Sequence, residues 1–285
     1  MAFLADDLLE GRAAGTRGYD LAALYVANRF RALGLQPAGD DGSFFQAVPL
    51  IEAHREREGA QFVLRRDGAE RAFAFETEFL PGVNFNATEH AIEAPLVFVG
   101  QAVHAPELGR DDFAGVDLAG KVAVYLSGAP ESFSNTQRAF HASGRQKLAV
   151  LAERGAIGAI QIGNPKDEAK YPWARGARNW GMPGMRLLDA DGRPVDSWPQ
   201  LQATASLSVD AARVLLEGAP MPADEIFERR EAGTLYLAAS LSLFDRILAL
   251  AAGGLALLMM ATMFVVSWMT YRTSKRMVLP IHRLA

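Results

Sequence analysis

The chain has 285 residues, 50% of them apolar and 22% charged, with a formal net charge of -4 and no cysteine. That balance excludes global disorder and leaves room for one or two globular units plus an extra segment. No basic stripe speaks for nucleic acid, and the lack of Cys excludes both a disulfide framework and a thiolate metal site.

In chain order, FLADDLLE has helical character and leads into GRAAGTRG (11–18). The glycines there do not have the spacing of a phosphate loop, and no strand precedes them as a dinucleotide loop requires. Thr16 is a suitable N-cap. After it Ala22, Tyr25, Val26, Phe30 and Leu33 recur every three or four residues up to Gly34, which predicts an amphipathic helix with a face to cover. QFVLRRDGAERAFAFE (61–76) has two β-rich arms around Asp67-Gly68 and predicts a type I′ hairpin.

From residue 95 the pattern becomes strand, strand, helix, strand: PLVFVG, KVAVYLSG (121–128), RQKLAVLAERG with Ser143 as N-cap and Gly155 as stop, then AIGAIQIG. A helix between two continuous apolar strands predicts a βαβ crossover with a parallel pair buried on both faces. YPWARGARNWGMPGM (171–185) reads as a loop, Asp191-Gly192 as a turn, and ATASLSVDAARVLLEGAP as a strand and a short helix. APMPADEIFERRE (219–231) has the Pro and charge content of a linker.

Residues 247–271, ILALAAGGLALLMMATMFVVSWMTY, are 25 residues without a charge. About 20 apolar residues cross a bilayer core of roughly 30 Å, so this run predicts one transmembrane helix. Trp268 and Tyr271 fall at its C-terminal end, where amphipathic rings favour the headgroup layer. Arg246 is the one basic residue in the fifteen before the run, whereas Arg272, Lys275, Arg276 and Arg283 follow it. The cationic side is expected to be cytoplasmic and the upstream region extracytoplasmic, or periplasmic in a bacterium. MAFLADDLLEGR has neither a basic n-region nor a signal-length apolar stretch, so this topology expects further residues upstream, or else the topology differs.

Candidate chemistry is sparse. His54, His90, His104, His141 and His282 show neither His-x-Asp nor HExxH spacing, and no two glutamates are adjacent. The pairs Asp6-Asp7, Asp40-Asp41 and Asp111-Asp112 suit turns and caps, where the carboxylate bonds to nearby backbone. No nucleophile motif such as GxSxG is present. No catalytic or metal site residue is therefore assigned. The candidate binding surface is Trp173, Arg175, Arg178 and Trp180, because Trp and Arg are common interface anchors.

The stretch LLEGRAAGTRGYDLAALYVANRFRALGLQPAG, continuing to FFQAVPL, resembles the N-terminal segment of two-zinc aminopeptidases that carry an inserted protease-associated (PA) domain. PLVFVGQAVHAPELGRDDFAGVDLAGKVAVYLSGAP, LAERGAIGAIQIGNP and LDADGRPVDSWPQLQATASLSVDAARVLLEGAP resemble that PA domain. The resemblance covers about residues 3–235. It implies an α+β chain: a PA-type mixed sheet with flanking helices, an N-terminal amphipathic helix and the C-terminal membrane helix. The implied division is 1–50 aminopeptidase-like segment, 51–91 hairpin region, 92–220 PA-like domain, 221–246 linker, 247–271 membrane helix and 272–285 cationic juxtamembrane segment.

In that family a catalytic domain follows, with a His-x-Asp zinc motif, a Glu-Glu pair and further Asp and His ligands; none of these maps onto this sequence. Zinc is expected only where such a domain is present, and no other cofactor is implied. The family's N-terminal helix covers part of the catalytic domain, so the Tyr25, Val26, Phe30 and Leu33 face is expected to lack a partner and residues 1–230 to self-associate or bind a partner. From SLFDRI onward the basic exit, Pro280-Ile281 and Leu284 resemble the membrane exit and first residues of a HAMP linker in bacterial sensor proteins. Three readings stay open. One is a noncatalytic PA-domain protein anchored in membrane lipid that binds peptides or a partner protein, with a homodimer through the span as a further expectation. The second is a fragment or misassembled product of a zinc aminopeptidase, and the third is the input half of a HAMP-containing receptor.

Overall fold

The computed structural model describes residues 2–228. The apolar run 247–271, its flanks Arg246, Trp268, Tyr271, Arg272, Lys275 and Arg276, and the HAMP-like start lie outside the described residues. Among the described residues no helix is long and apolar enough to cross a membrane.

In chain order the elements are α1 (Arg17–Ala32), β1 (Leu50–Ala53), β2 (Val63–Arg66), β3 (Ala69–Ala72), β4 (Phe79–Pro81), β5 (Leu96–Phe98), β6 (His104–Ala105), β7 (Arg110–Asp111) and β8 (Val122–Leu126). There follow α2 (Asn135–Ala142), α3 (Gly144–Glu153), β9 (Gly158–Ile162), α4 (Pro165–Lys170), α5 (Trp173–Ala177), β10 (Gly184–Leu187), β11 (Ala203–Leu207), α6 (Val209–Leu216) and α7 (Ala223–Glu228). Helices and sheets are mixed, as the α+β expectation requires. The described residues divide into two compact units, 2–52 with Met185–Val195, and 53–184 with 196–228.

The first unit is built on α1. The Thr16 side chain accepts a hydrogen bond from Tyr19 N, the N-cap expected from the sequence, and Gly34 follows the helix with φ +76°. Short 3-10 turns at Phe3–Ala5 and Asp7–Arg12 precede α1, the second capped by Asp6, whose carboxylate accepts from Leu8 N. Gly18 lets these turns lie directly on the helix: a Cβ there would stand 1.8 Å from the Leu9 carbonyl oxygen. Phe3 stacks on Tyr25 at 4.6 Å between ring centroids. Within this unit β1 and β10 pair, and Leu188 N donates to Pro49 O.

The second unit centres on a five-stranded sheet in the order β4-β11-β9-β8-β5. β5, β8, β9 and β11 run parallel, and β4 pairs antiparallel with β11 at one edge. The parallel pair β8 and β9, joined through α2 and α3, is the expected crossover. All five residues of β8 are buried, and they divide by alternation. Val122, Val124 and Leu126 join Ile160, Ile162, Leu207, Leu215, Ile226 and Phe227 on one face, with the aromatic residues of the hairpin region. Ala123 and Tyr125 turn to the other face, where Ala159, Val150, Leu151, Phe113 and Leu118 close a second core. Small side chains on that face, Ala123 and Ala159, let α3 approach the sheet.

The hairpin β2–β3 has the expected turn, with φ +49° at Asp67 and +80° at Gly68. From its last strand residue Arg66 reaches α6, donating to Leu215 O at 2.5 Å and so satisfying a carbonyl of the helix's last turn. Three elements differ from the sequence expectation. Ser143 occupies the cap position of α3 without a side-chain bond, and the capping box belongs instead to Ser134 and Gln137 at the start of α2. Residues 171–185 carry α5 and the start of β10 rather than loop throughout. Within 219–231, read as linker, residues 223–228 form α7, whose Ile226 and Phe227 are buried in the first core.

Candidate functional site

The candidate surface begins at Asn164, which caps α4 with its side-chain oxygen and leads through Tyr171-Pro172 into α5. Three residues at helical spacing, Trp173, Ala177 and Trp180, face the domain. Ala177 is buried, and Trp173 donates its indole N–H to Glu76 O at 2.8 Å. Trp180 meets Phe75 edge-on at 5.2 Å between centroids. The Arg57 guanidinium lies 5.1 Å from the Phe75 ring centre and 5.7 Å from that of Trp180, held by an ion pair with Glu76 at 2.6 Å. Arg55 completes the fastening: it donates to Pro81 O at 2.7 Å and to Trp180 O at 2.9 Å. Burial pulls the Arg55 pKa below the usual guanidinium value.

The four residues singled out from the sequence therefore divide. Trp173 and Trp180 are half-buried anchors, and Arg175 and Arg178 are exposed and make no ion pair among the described residues. Tyr171 at 76% and Met182 at 63% exposure flank the two cations. The result is two exposed cations, one in α5 and one at its C-cap, with two large accessible side chains near them in sequence, on a segment fastened to the domain through Trp173 and Trp180. Such a face recognises carboxylate-bearing surface through the guanidinium forks and apolar or ring surface through Tyr171 and Met182.

Elsewhere the titratable groups serve the fold. Asp112 is the largest departure from the expected turn role. Its Oδ2 accepts from Gln101 N and Val103 N, each at 3.0 Å, and its Oδ1 pairs with Arg110 Nε at 2.5 Å in the interior. Gly100 makes room for that carboxylate; its φ is +54°, and a Cβ would stand 3.2 Å from Asp112 Cγ. Lys147 of α3 is buried beside the pair and donates to Gln101 O. Burial pushes the Lys147 pKa down to about 8, against the attraction of Asp112, and pushes that of Asp112 up, against the pull of Arg110. Sequence spacing carried no sign of this cluster, because Lys147 is 35 positions or more from its partners.

Asp111, by contrast, keeps a turn role, accepting from Phe113 N at 3.0 Å while pairing with His104 at 3.1 Å. Asp40 accepts from Ala47 N at 2.7 Å. His141 is buried against Phe133 and Phe140, and burial lowers its pKa. His90 contacts Asn84 at 3.3 Å. Among the described residues no three His, Cys, Asp or Glu side chains converge to hold a metal ion.

No family model and no curated protein matches this chain. Ten solved chains do match in structure. An aminopeptidase from Aneurinibacillus sp. strain AM-1 is 16% identical with a TM-score of 0.35, over 73% of this chain and 38% of that one. A zinc aminopeptidase from Bacillus subtilis, in two structures, is 18% identical with a TM-score of 0.25 in each. There the match covers 55% and 57% of this chain and 30% and 31% of the other. This chain thus spans well under half the length of the solved proteins it matches, and the zinc and activity in those names belong to those proteins.

Proposed function

We propose that the chain is a noncatalytic PA-type module that binds peptides or a partner protein and is tethered to the membrane by a single span. The observation that carries the reading is the α5 face. Arg175 and Arg178 are exposed and make no ion pair among the described residues, while Trp173 and Trp180 fasten the segment that carries them to Glu76 and Phe75, so a partner meets an anchored backbone and less entropy is lost on docking. The partner of matching chemistry is an acidic segment with an apolar or aromatic residue. The charge-free run 247–271 supports the tether, and the cationic residues Arg272, Lys275 and Arg276 support a cytoplasmic C-terminal side.

The test uses the full chain in detergent micelles and amidated acidic peptides of about fifteen residues, matched against charge-neutral analogues. Saturable binding of the acidic set, weakened at least about tenfold by R175Q together with R178Q, is the expected result. Equal binding of neutral and acidic peptides, or indifference to the two substitutions, overturns it. With zinc added, the same preparation is expected to release no amine from Leu or Ala amides; measurable turnover contradicts the noncatalytic reading.

A further inference from the structure

A second polar site lies beyond the carboxyl ends of the parallel strands β8 and β9, the place where open α/β sheets leave a crevice. It is a cleft of about 640 Å³, lined among others by Gly128, Glu131, Arg138, Lys166, Asp167 and Lys170. One wall is α2, carrying Arg138, and the other is α4, carrying Lys166 and Lys170 one helical turn apart. The floor is built rather than incidental. Asn164, 1% exposed, caps α4 and donates to Asp167, and Ser127 Oγ at the end of β8 donates to the same Asp167 Oδ2 at 3.1 Å. These bonds tie the ends of β8 and β9 together and offset part of the Asp167 charge.

The three cations make no ion pair among the described residues, although carboxylates stand in the same cleft. Three cations against two carboxylates leave the lining singly positive, which suits one carboxylate better than a doubly charged phosphate. Glu131 and Asp167 would repel extra negative charge. The volume falls in the range of small-ligand clefts and holds a few residues of chain.

We propose that this cleft binds a carboxylate carried by a short peptide, with Arg138 as the forked partner and Lys166 and Lys170 as supporting charges. The inference rests on the proposed function in one respect, that the ligand is a peptide; Arg175 and Arg178 are not among the residues that line the cleft. The carboxylate comes from a free C-terminus or from a Glu side chain, and the two sources are distinguished by the probes.

The experiment measures binding of three labelled, N-acetylated tripeptides to the full chain in detergent micelles: Ala-Leu-Ala with a free acid end, Ala-Glu-Ala amide, and Ala-Gln-Ala amide, which has no carboxylate. Binding of either acid-bearing peptide at least about tenfold tighter than the neutral one supports the proposal and identifies the source. R138Q with K166Q should remove that difference, and both positions are exposed, so circular dichroism should be unchanged. R175Q with R178Q should leave it within about twofold, which separates failure of this site from failure of the α5 surface. Equal binding of all three peptides, no binding, indifference to R138Q and K166Q, or inorganic phosphate outcompeting the acid peptides would each overturn it.

Discussion

The two units use apolar residues in opposite ways. Among the described residues the second unit closes three buried clusters around its sheet, whereas the first buries only Leu9 and Ala27 among its apolar side chains. Of the large apolar residues exposed among the described residues, all but Val63, Leu96, Phe140, Tyr171 and Met182 belong to the first unit. Fully covering a side chain of that size contributes about 1.5 to 3 kcal/mol, so the second unit carries its own stabilisation and the first is held by local bonds and ring contacts. Amphipathic pattern alone does not say what an element covers; α1 has the pattern, and its Phe30 and Leu33 remain exposed at 41% and 73%.

The largest effect that would break this contrast is in the second unit. Asp112→Ala removes the carboxylate paired with the buried Arg110 and takes the acceptor from two backbone amides, and is expected to cost about 3 to 5 kcal/mol in urea unfolding. A loss below about 1 kcal/mol would show that the interior pair does not hold the β5–β6 turn. Next is Gly18→Ala in the first unit, where the added Cβ collides with the Leu9 backbone. Hydrogen exchange should accelerate through α1 while β8 and β9 stay protected; uniform acceleration in both units would contradict their independence.

Lys147 sharpens the comparison through pH. Its folded pKa of about 8 lies below the ordinary 10.5, so between those values the unfolded chain binds more protons and stability from this group rises with pH. Wild type should therefore gain on Lys147→Met from about pH 7 to about pH 10, read as the difference between their urea midpoints; a constant difference would show that the folded amine stays protonated over this range, as it does in the unfolded chain. The smallest effect is Thr16→Ala, expected to cost about 1 kcal/mol through loss of the α1 cap, and measurable as lower helicity by circular dichroism. Phe30→Glu with Leu33→Glu addresses the exposed face itself. Light scattering of residues 1–230 should show self-association reduced by the two charges; a monodisperse parent would remove that expectation.

What was legible in the sequence follows from range. The continuous apolar strands around residues 122 and 160 announced a parallel pair because burial on both faces erases alternation, and Asp67-Gly68 announced its turn because the dipeptide tolerates positive φ. Two further local signals lie in the sequence. Ser134 and Gln137 stand at capping-box spacing before α2, and Trp173, Ala177 and Trp180 at helical spacing within the supposed loop. Prolines and charges around 219–231 concealed Ile226 and Phe227, which only the folded sheet could show to be core. The division of the candidate surface into Trp anchors and exposed arginines depended on Glu76, Phe75 and Arg57, about a hundred positions away.

The central claim is that this chain holds peptides without cutting them. It is tested most directly by titrating the full chain with an acidic peptide in the presence of zinc, then recovering the bound peptide for mass spectrometry. The account predicts saturable binding that R175Q and R178Q weaken at least about tenfold, and a peptide recovered intact. A recovered peptide shortened from its N-terminus by the purified chain, or binding untouched by the two substitutions, would contradict it.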